Sequence, residues 1–423
     1  MPEFHHGAAS RLLNRNFLLL WQGQFISQAG NQAFAVAMMY WLMQESGSAT
    51  LMGLVMMAST LPGVLLGPLG GAVADRHSRK HIIVFSDALR GTAVLGFALT
   101  LFVISKANTV TISFLFAVVL FNGILGAAFQ PAVSAAIPDL VPPEEVASAN
   151  SMNQFSVQTA VLFGQVGGGI LYGFLGAPVL FAIDGASYIL SAISESFIRV
   201  GERTAKGATA SPLTLTTYCS DAIDGMRYVW QRVGMRNLLV TAAGINFLAM
   251  PVIVLLPFFV SQKLLESAEW YGFLLAGMGG GSLLGYVAIT VRPISAPIRP
   301  YAVAAAFFAV SVSVALLSVV STPAFALMLF IVLGICTGVI NITLITLFQL
   351  GSPQRIRGRV MSLVYATSSA VSPLGMALGG LLGDATDKNI SAIYLGCGIS
   401  MIVIILIAIS KHSFRRFLAY ETA

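Results

Sequence analysis

Charge is what this sequence has least of. Asp, Glu, Lys and Arg make up 9% of its 423 residues, while hydrophobic residues make up 57%. A soluble domain carries about 25% charged residues. So few charges cannot clothe a water-facing surface, which excludes an ordinary globular protein and leaves the bilayer as solvent. Cysteine is nearly as scarce. Cys219, Cys336 and Cys397 stand alone, with no CxxC and no paired spacing, so neither a disulfide framework nor a zinc site is expected. The histidines (His5, His6, His77, His81 and His412) all fall outside the apolar runs. There is no metal-ligating cluster, no GxSxG and no GxxxxGK[ST], so enzymatic chemistry and ATP drive are both excluded, and no cofactor is expected.

What is present is a series of long apolar runs. Runs near 20 residues predict twelve membrane spans, at roughly 17–44, 50–73, 82–104, 109–137, 146–174, 177–198, 238–262, 270–291, 300–320, 323–350, 358–383 and 390–410. The first run lacks a signal-peptide cleavage site and reads as a retained span. The net charge of +6 would suit nucleic acid only if its placement were ignored. Of 23 basic residues, 19 lie at the termini or in every second loop; only Lys106, Lys263 and Lys388 lie in the others, and Arg90 lies inside a span. This asymmetry predicts both termini in the cytoplasm.

The two halves echo each other. Arg15-Asn16 recurs as Arg236-Asn237, and Ser48-Ala49-x-x-x-Gly53 as Ser267-Ala268-x-x-x-Gly272. Gly164-x-x-x-Gly168-Gly169 recurs as Gly375-x-x-x-Gly379-Gly380, with Ser151 and Ser362 in the same register. The offsets cover six spans, so each half starts on the same side and the repeats are parallel. The expected organisation is an N-terminal bundle at 1–200, a cytoplasmic linker at 201–236 and a C-terminal bundle at 237–423. Within the linker, Tyr218–Val233 reads as a helix with Ile223, Met226, Trp230 and Val233 on one face, which suits the cytoplasmic interface of a membrane. A solvated linker helix is the alternative.

The stretch GAVADRHSRK, Gly71 to Lys80, joins spans two and three. It resembles the loop signature G-x-L-A-D-R-x-G-R-K of the major facilitator superfamily, with Val73 for Leu and Ser78 for Gly. The opening NRNFLLLWQGQFISQAGNQAF and the segments LVPPEEVASANSMNQ and RGRVMSL are similar to the branch of that family holding macrolide-efflux proteins and the enterobactin exporter. The resemblance implies an all-α membrane protein, with twelve helices arranged as two parallel six-helix bundles, in a bacterial plasma (inner) membrane and as a monomer. There are departures. Gln165 stands where many such exporters have a proline, and Asn31 stands where relatives often have an acid.

An ionisable group at membrane depth costs at least about 2.5–3.5 kcal/mol and persists when paired or functional. Four such groups are found: Asp87 and Arg90 in span three, Asp184 and Glu195 in span six. Asp184, Tyr188, Ser191 and Glu195 follow helical spacing and form one polar stripe. Asp87, Arg90 and Glu195 fall in the cytoplasmic half, either as a charge cluster fastening the bundle or as part of proton coupling. Asp184 reads as solitary in the outer half. An unpaired buried carboxyl favours its neutral form, which makes it the first candidate proton carrier; a carboxyl capping a helix or wetted by the external mouth is the alternative.

By the resemblance, spans one, four, seven and ten line a substrate cavity. They hold no acid or base in their interiors, but they do hold amides: Gln24, Gln28 and Asn31, then Asn122 and Gln130, then Asn246, then Asn341. Span five adds Gln154 and Gln158. Single amides often act as glue between helices. Together with Phe34 they suggest a surface for an amphiphilic, largely uncharged ligand. Gly71, Asp75, Arg76, Arg79 and Lys80 are expected to form a cytoplasmic gate, with Arg357 and Arg359 of the repeated loop as partners for Asp75. The expected function is a proton-driven exporter of amphiphilic small molecules of drug, macrolide or siderophore type. An importer or facilitator of the same fold is the alternative, since direction rests on the resemblance alone.

Overall fold

A computed structural model describes residues 12–104, 108–199, 223, 225–354 and 356–419, apart from the side chains of Pro68 and Asp75. Helix dominates, and no strand occurs among the described residues. Helices α1 (Arg15–Ser46), α2 (Ala49–Arg76), α3 (Arg79–Val103) and α4 (Thr109–Leu140) open the chain. The run Val146–Ser196 is two helices, α5 and α6, meeting at Gly176. There φ is +71° and ψ 174°, a backbone geometry that favours glycine, and Pro178 starts the next helix. After a short helix at 225–231 come α7 (Val233–Val254), α8 (Ala268–Val291), α9 (Arg299–Leu317), α10 (Pro323–Leu350), α11 (Arg357–Ala385), α12 (Ile390–Ser410) and the short α13 (His412–Leu418).

Local chemistry sets these boundaries. Asn108 and Thr111 form a reciprocal capping box at the start of α4, with bonds of 3.0 and 2.8 Å. Asn389 caps α12 through Ala392 N, and prolines open α9 and α10. The largest departure from the expected spans is in the seventh. Pro251 lies in its last turn, α7 stops at Val254, and the chain continues through Leu256–Phe258 into a π turn, Phe259–Lys263. The Lys263 ammonium donates to the Ser318 carbonyl and to Ser391 Oγ. Burial lowers its pKa below the ordinary lysine value.

Among the described residues, ten helical runs are long and apolar enough to cross a bilayer. The bent run over α5 and α6 counts once among them, and the amide-bearing α1 is not included, so twelve spans were expected where ten meet this criterion. The chain divides into two compact units, Met1–Glu45 with Ala58–Ser211 and Ser46–Met57 with Pro212–Ala423. The first turns of α2 therefore belong with the second unit. The expected linker at 201–236 lies outside the described residues up to 222 and at 224.

Inside each unit the repeat reappears as matched helix pairs. A Cβ on Gly164 would sit 2.5 Å from Ala29 O, and one on Gly168 2.7 Å from Ala33 Cα, so α5 lies backbone-to-backbone on α1. Gly375 and Gly379 hold α11 on α7 in the same way, each 2.6 Å from Phe247 O and Pro251 Cα respectively. The repeated GxxxGG is thus a packing motif used twice. The repeated Arg-Asn pair is matched as well. Asn16 Nδ2 donates to Arg199 O (2.9 Å), just past α6, and Asn237 Nδ2 donates to Ser413 Oγ (3.1 Å), just past α12.

The start of α2 is closed by a partner from α11. Asp384 accepts from Ser48 Oγ (2.8 Å), Ala49 N (3.0 Å) and Thr50 N (2.9 Å). Ser48 Oγ in turn accepts from Leu51 N (3.2 Å), and Ser48 N donates to Ser46 Oγ (3.2 Å). All four backbone donors that a helix leaves open at its N-terminus are thereby satisfied.

Candidate functional site

The polar stripe predicted on α6 exists. Asp184, Tyr188, Ser191 and Glu195 share one buried face, with Asp184 1% and Glu195 0% exposed. That face meets small residues of α1. Gly23 lies against Ser191 and Glu195, and Gly30 against Ser187 and Asp184. On the other flank, α3 packs on α6 where Gly91 and Gly185 allow close approach, which carries Asp87 and Arg90 to the same stripe. Asp87 is 0% exposed and Arg90 7%.

The result is one cluster of three carboxyls and one guanidinium inside the first unit. Arg90 Nη1 lies 3.8 Å from Asp87 Oδ1, a loose pair. Its guanidinium is bracketed by the rings of Phe129 at 4.5 Å and Tyr188 at 5.8 Å, positions suited to cation–π attraction. Gln24 Nε2 donates to Glu195 Oε1 (2.9 Å). Ser191 lies beside Asp87 and Glu195. Many polar atoms remain without a hydrogen-bond partner: both oxygens of Asp87 and of Asp184, Glu195 Oε2, Gln24 Oε1, Ser191 Oγ and Arg90 Nε. Buried polar atoms are normally paired, so unmet hydrogen-bonding capacity is concentrated here. No group of three or more His, Cys, Asp and Glu side chains is placed to hold a metal among the described residues.

Three expectations change. Asp184 was expected to be solitary, but Arg90 and Asp87 are its charged neighbours. The close α3–α6 contact is the reason, and the small residues Gly91 and Gly185 were its sequence signal. Gln24 was expected to face a ligand, but it is 2% exposed and tied to Glu195. Phe34 is also buried, 4.8 Å from the Phe181 ring in an aromatic core that includes Trp41 and Phe97. Of the other amides, Asn31, Gln130, Gln154 and Asn341 are exposed, while Gln28, Asn122, Gln158 and Asn246 are half-buried. Asn246 accepts from Ser372 Oγ (2.9 Å).

In the Gly71–Lys80 stretch, Arg79 pairs with Asp139 at the end of α4 (2.5 Å) and donates to Ala135 O (2.8 Å). Asp139 was not singled out from sequence. Gly71 and Lys80 are half-buried and Arg76 is exposed. Arg357 is exposed and Arg359 half-buried at the start of α11. The Asp75 side chain and Arg355 lie outside the described residues.

The architecture defines a helical, multi-pass membrane protein of two compact units, with a buried ionic cluster in the first. The sequence profile of the Major Facilitator Superfamily matches residues 20–372, and the chain belongs to that family of membrane transporters. It is 25% identical over 405 residues to the multidrug efflux pump Tap of Mycolicibacterium fortuitum, covering 93% of this chain and 94% of that protein. It is 24% identical over 386 residues to macrolide efflux protein A of Streptococcus pyogenes, covering 88% and 90%. Among solved structures, it matches the nucleoside transporter NupG with a TM-score of 0.71 and 13% identity, over 94% of this chain and 99% of that one. A bacterial homologue of the human lysosomal transporter Spinster matches with a TM-score of 0.67 and 17% identity, over 95% and 96%. These likenesses show the fold.

Proposed function

We propose that this protein is a secondary exporter of amphiphilic small molecules, driven by protons exchanged at the cluster of Asp87, Arg90, Asp184 and Glu195. The observation that carries the coupling is the imbalance of the cluster: three buried carboxyls face one guanidinium. One guanidinium offsets one carboxylate. Keeping two further anions at membrane depth costs at least about 2.5–3.5 kcal/mol each, so the cluster favours bound protons. The unpartnered oxygens of Gln24 and Ser191 are acceptors suited to a protonated Glu195 or Asp87. Asp184 remains the first candidate carrier, now as a member of the cluster.

Export, and an amphiphilic cargo, are supported by the relatives named as multidrug and macrolide pumps. The exposed and half-buried amides supply neutral polar contacts for such a ligand. The protein acts as a monomer in a bacterial plasma membrane with both termini cytoplasmic, and needs no cofactor beyond the proton gradient. Gly71–Lys80 serves as the cytoplasmic gate.

Proteoliposomes with an imposed pH gradient test this reading, using a panel of neutral and anionic amphiphiles in both orientations. Gradient-driven substrate movement is expected in the wild type. Asp184→Asn is expected to abolish gradient dependence while leaving substrate exchange, and Asp75→Asn is expected to slow transport. Gradient-driven transport that survives Asp184→Asn, Glu195→Gln and Asp87→Asn singly would overturn the coupling site. Accumulation in the import direction alone would favour the importer.

A further inference from the structure

The second unit carries a groove that contains none of the residues assigned above to the cavity, the coupling cluster or the gate. It is about 400 Å³ in volume and runs between the start of α7 and the end of α12. Two cations, Arg236 and Lys411, stand at its mouth with the Trp230 indole. The Arg236 guanidinium lies 6.0 Å from the Trp230 ring. Asn237 and Thr241 supply neutral polar groups to the wall. Farther along, the wall is apolar and open: Val240 is 54% exposed and Ile407 53%.

The short 225–231 helix points to a membrane surface beside this groove. One face is docked on the protein. Tyr228 Oη donates to Gly351 O (3.0 Å), Val229 is fully buried, and a Cβ on Gly225 would sit 2.7 Å from Arg359 O. The opposite face leaves Met226 and Trp230 exposed at 41% and 51%, and Ile223, before the helix, is 63% exposed. An apolar face of this kind beside a transmembrane bundle suits the headgroup boundary, where an indole sits with one end wet and the other in hydrocarbon.

Among the described residues that line this groove and its neighbour, charge has one sign. Arg227, Arg232, Arg236, Lys411, Arg415 and Arg416 all fall within 225–241 and 404–419, and those two segments contain no Asp or Glu. Arg415 and Arg416 line a neighbouring groove of about 470 Å³. A basic mouth above an apolar channel fits a molecule with an anionic head and an acyl tail.

We infer that the groove between α7 and α12 binds an anionic glycerophospholipid, with its phosphate at Arg236 and Lys411 and one acyl chain along Val240, Ile404 and Ile407. The docked 225–231 helix then closes over the headgroup through Trp230. Membrane-surface attraction grows with each basic residue, so two cations give a preference on the order of tenfold over a zwitterionic lipid.

Quenching of tryptophan fluorescence by brominated lipid tests this in proteoliposomes of the full chain. Trp230→Phe isolates the Trp230 component from the other three tryptophans. Dibrominated phosphatidylglycerol is expected to quench that component at about a tenth of the mole fraction that dibrominated phosphatidylcholine requires. Arg236→Gln with Lys411→Gln is expected to remove the difference while phosphatidylcholine quenching stays unchanged, which also reports an intact fold. Each single substitution is expected to remove part of it and keeps the test decisive if the double variant does not fold. Equal quenching by the two lipids in the wild type would reduce the groove to ordinary annular contact and overturn the inference. So would an anionic preference that persists without both cations, or displacement of the lipid by millimolar inorganic phosphate.

Discussion

Removing the Asp384 carboxylate should loosen the first turn of α2, by an amount its geometry sets. Its two oxygens accept from Ser48 Oγ, Ala49 N and Thr50 N at 2.8–3.0 Å. Loss of an N-terminal cap costs about 0.5–2 kcal/mol. Loss of a negative charge at a helix N-terminus costs a further 0.3–1 kcal/mol or so. Asp384→Ala removes both, for a total near 2 kcal/mol, and the amides of Ala49 and Thr50 should then exchange hydrogen roughly 30-fold faster. Asp384→Asn keeps the shape and one acceptor oxygen but drops the charge. It should cost about 1 kcal/mol and speed exchange about fivefold. The amide of Val55, a turn farther along α2 and held by the helix itself, is an internal reference. Residue-resolved hydrogen exchange by mass spectrometry with non-ergodic fragmentation reads all three amides. Exchange at Ala49 and Thr50 within twofold of wild type in Asp384→Ala would refute the reasoning, as would acceleration spread evenly along α2.

Gly168→Ala should lower the melting temperature in detergent by several degrees, because its Cβ would meet Ala33 Cα at 2.7 Å, while Gly167→Ala, which faces open space, should be neutral. Arg90→Gln and Asp87→Asn should each destabilise the first unit, by up to about 3–5 kcal/mol if an uncompensated charge is left buried. The double variant should be milder than the sum of the two, and a thermal-melt double-mutant cycle that shows simple additivity would deny the pairing. Arg79→Gln should shift stability by no more than about 1 kcal/mol, since the pair with Asp139 is part exposed, at 35% and 24%.

The helices were legible because hydrophobic run length and charge alternation are strong signals in a bilayer-solvated chain. Predicted spans such as 323–350 and 390–410 match α10 and α12 end to end. The GxxxGG repeat was legible as a repeat, and its purpose, backbone contact of α5 with α1 and α11 with α7, emerged only with the helix pairs in place. The cluster was half legible. Its charged members stood out by depth, but Gln24 looked like every other amide on α1 until Gly23 and Gly30 were seen to bring α6 against that face. Asp384 was hidden because a carboxylate at a helix end is ordinary by composition, and its partners are more than 300 residues away in sequence. Pro251 did signal an early end to α7, but apolar periodicity continues through Phe258 and Phe259 and masks it.

The joint at Gly176 bears on how the topology of this chain can be mapped. The φ of +71° turns α5 into α6 with no intervening loop. Reporter insertion depends on spare chain at the surface, and here there is none, so an epitope or cysteine-label cassette placed at 175–177 would unwind helix on both sides. A label meant to report on this end of α5 and α6 is therefore better carried by a single-residue substitution, which adds no chain to the joint.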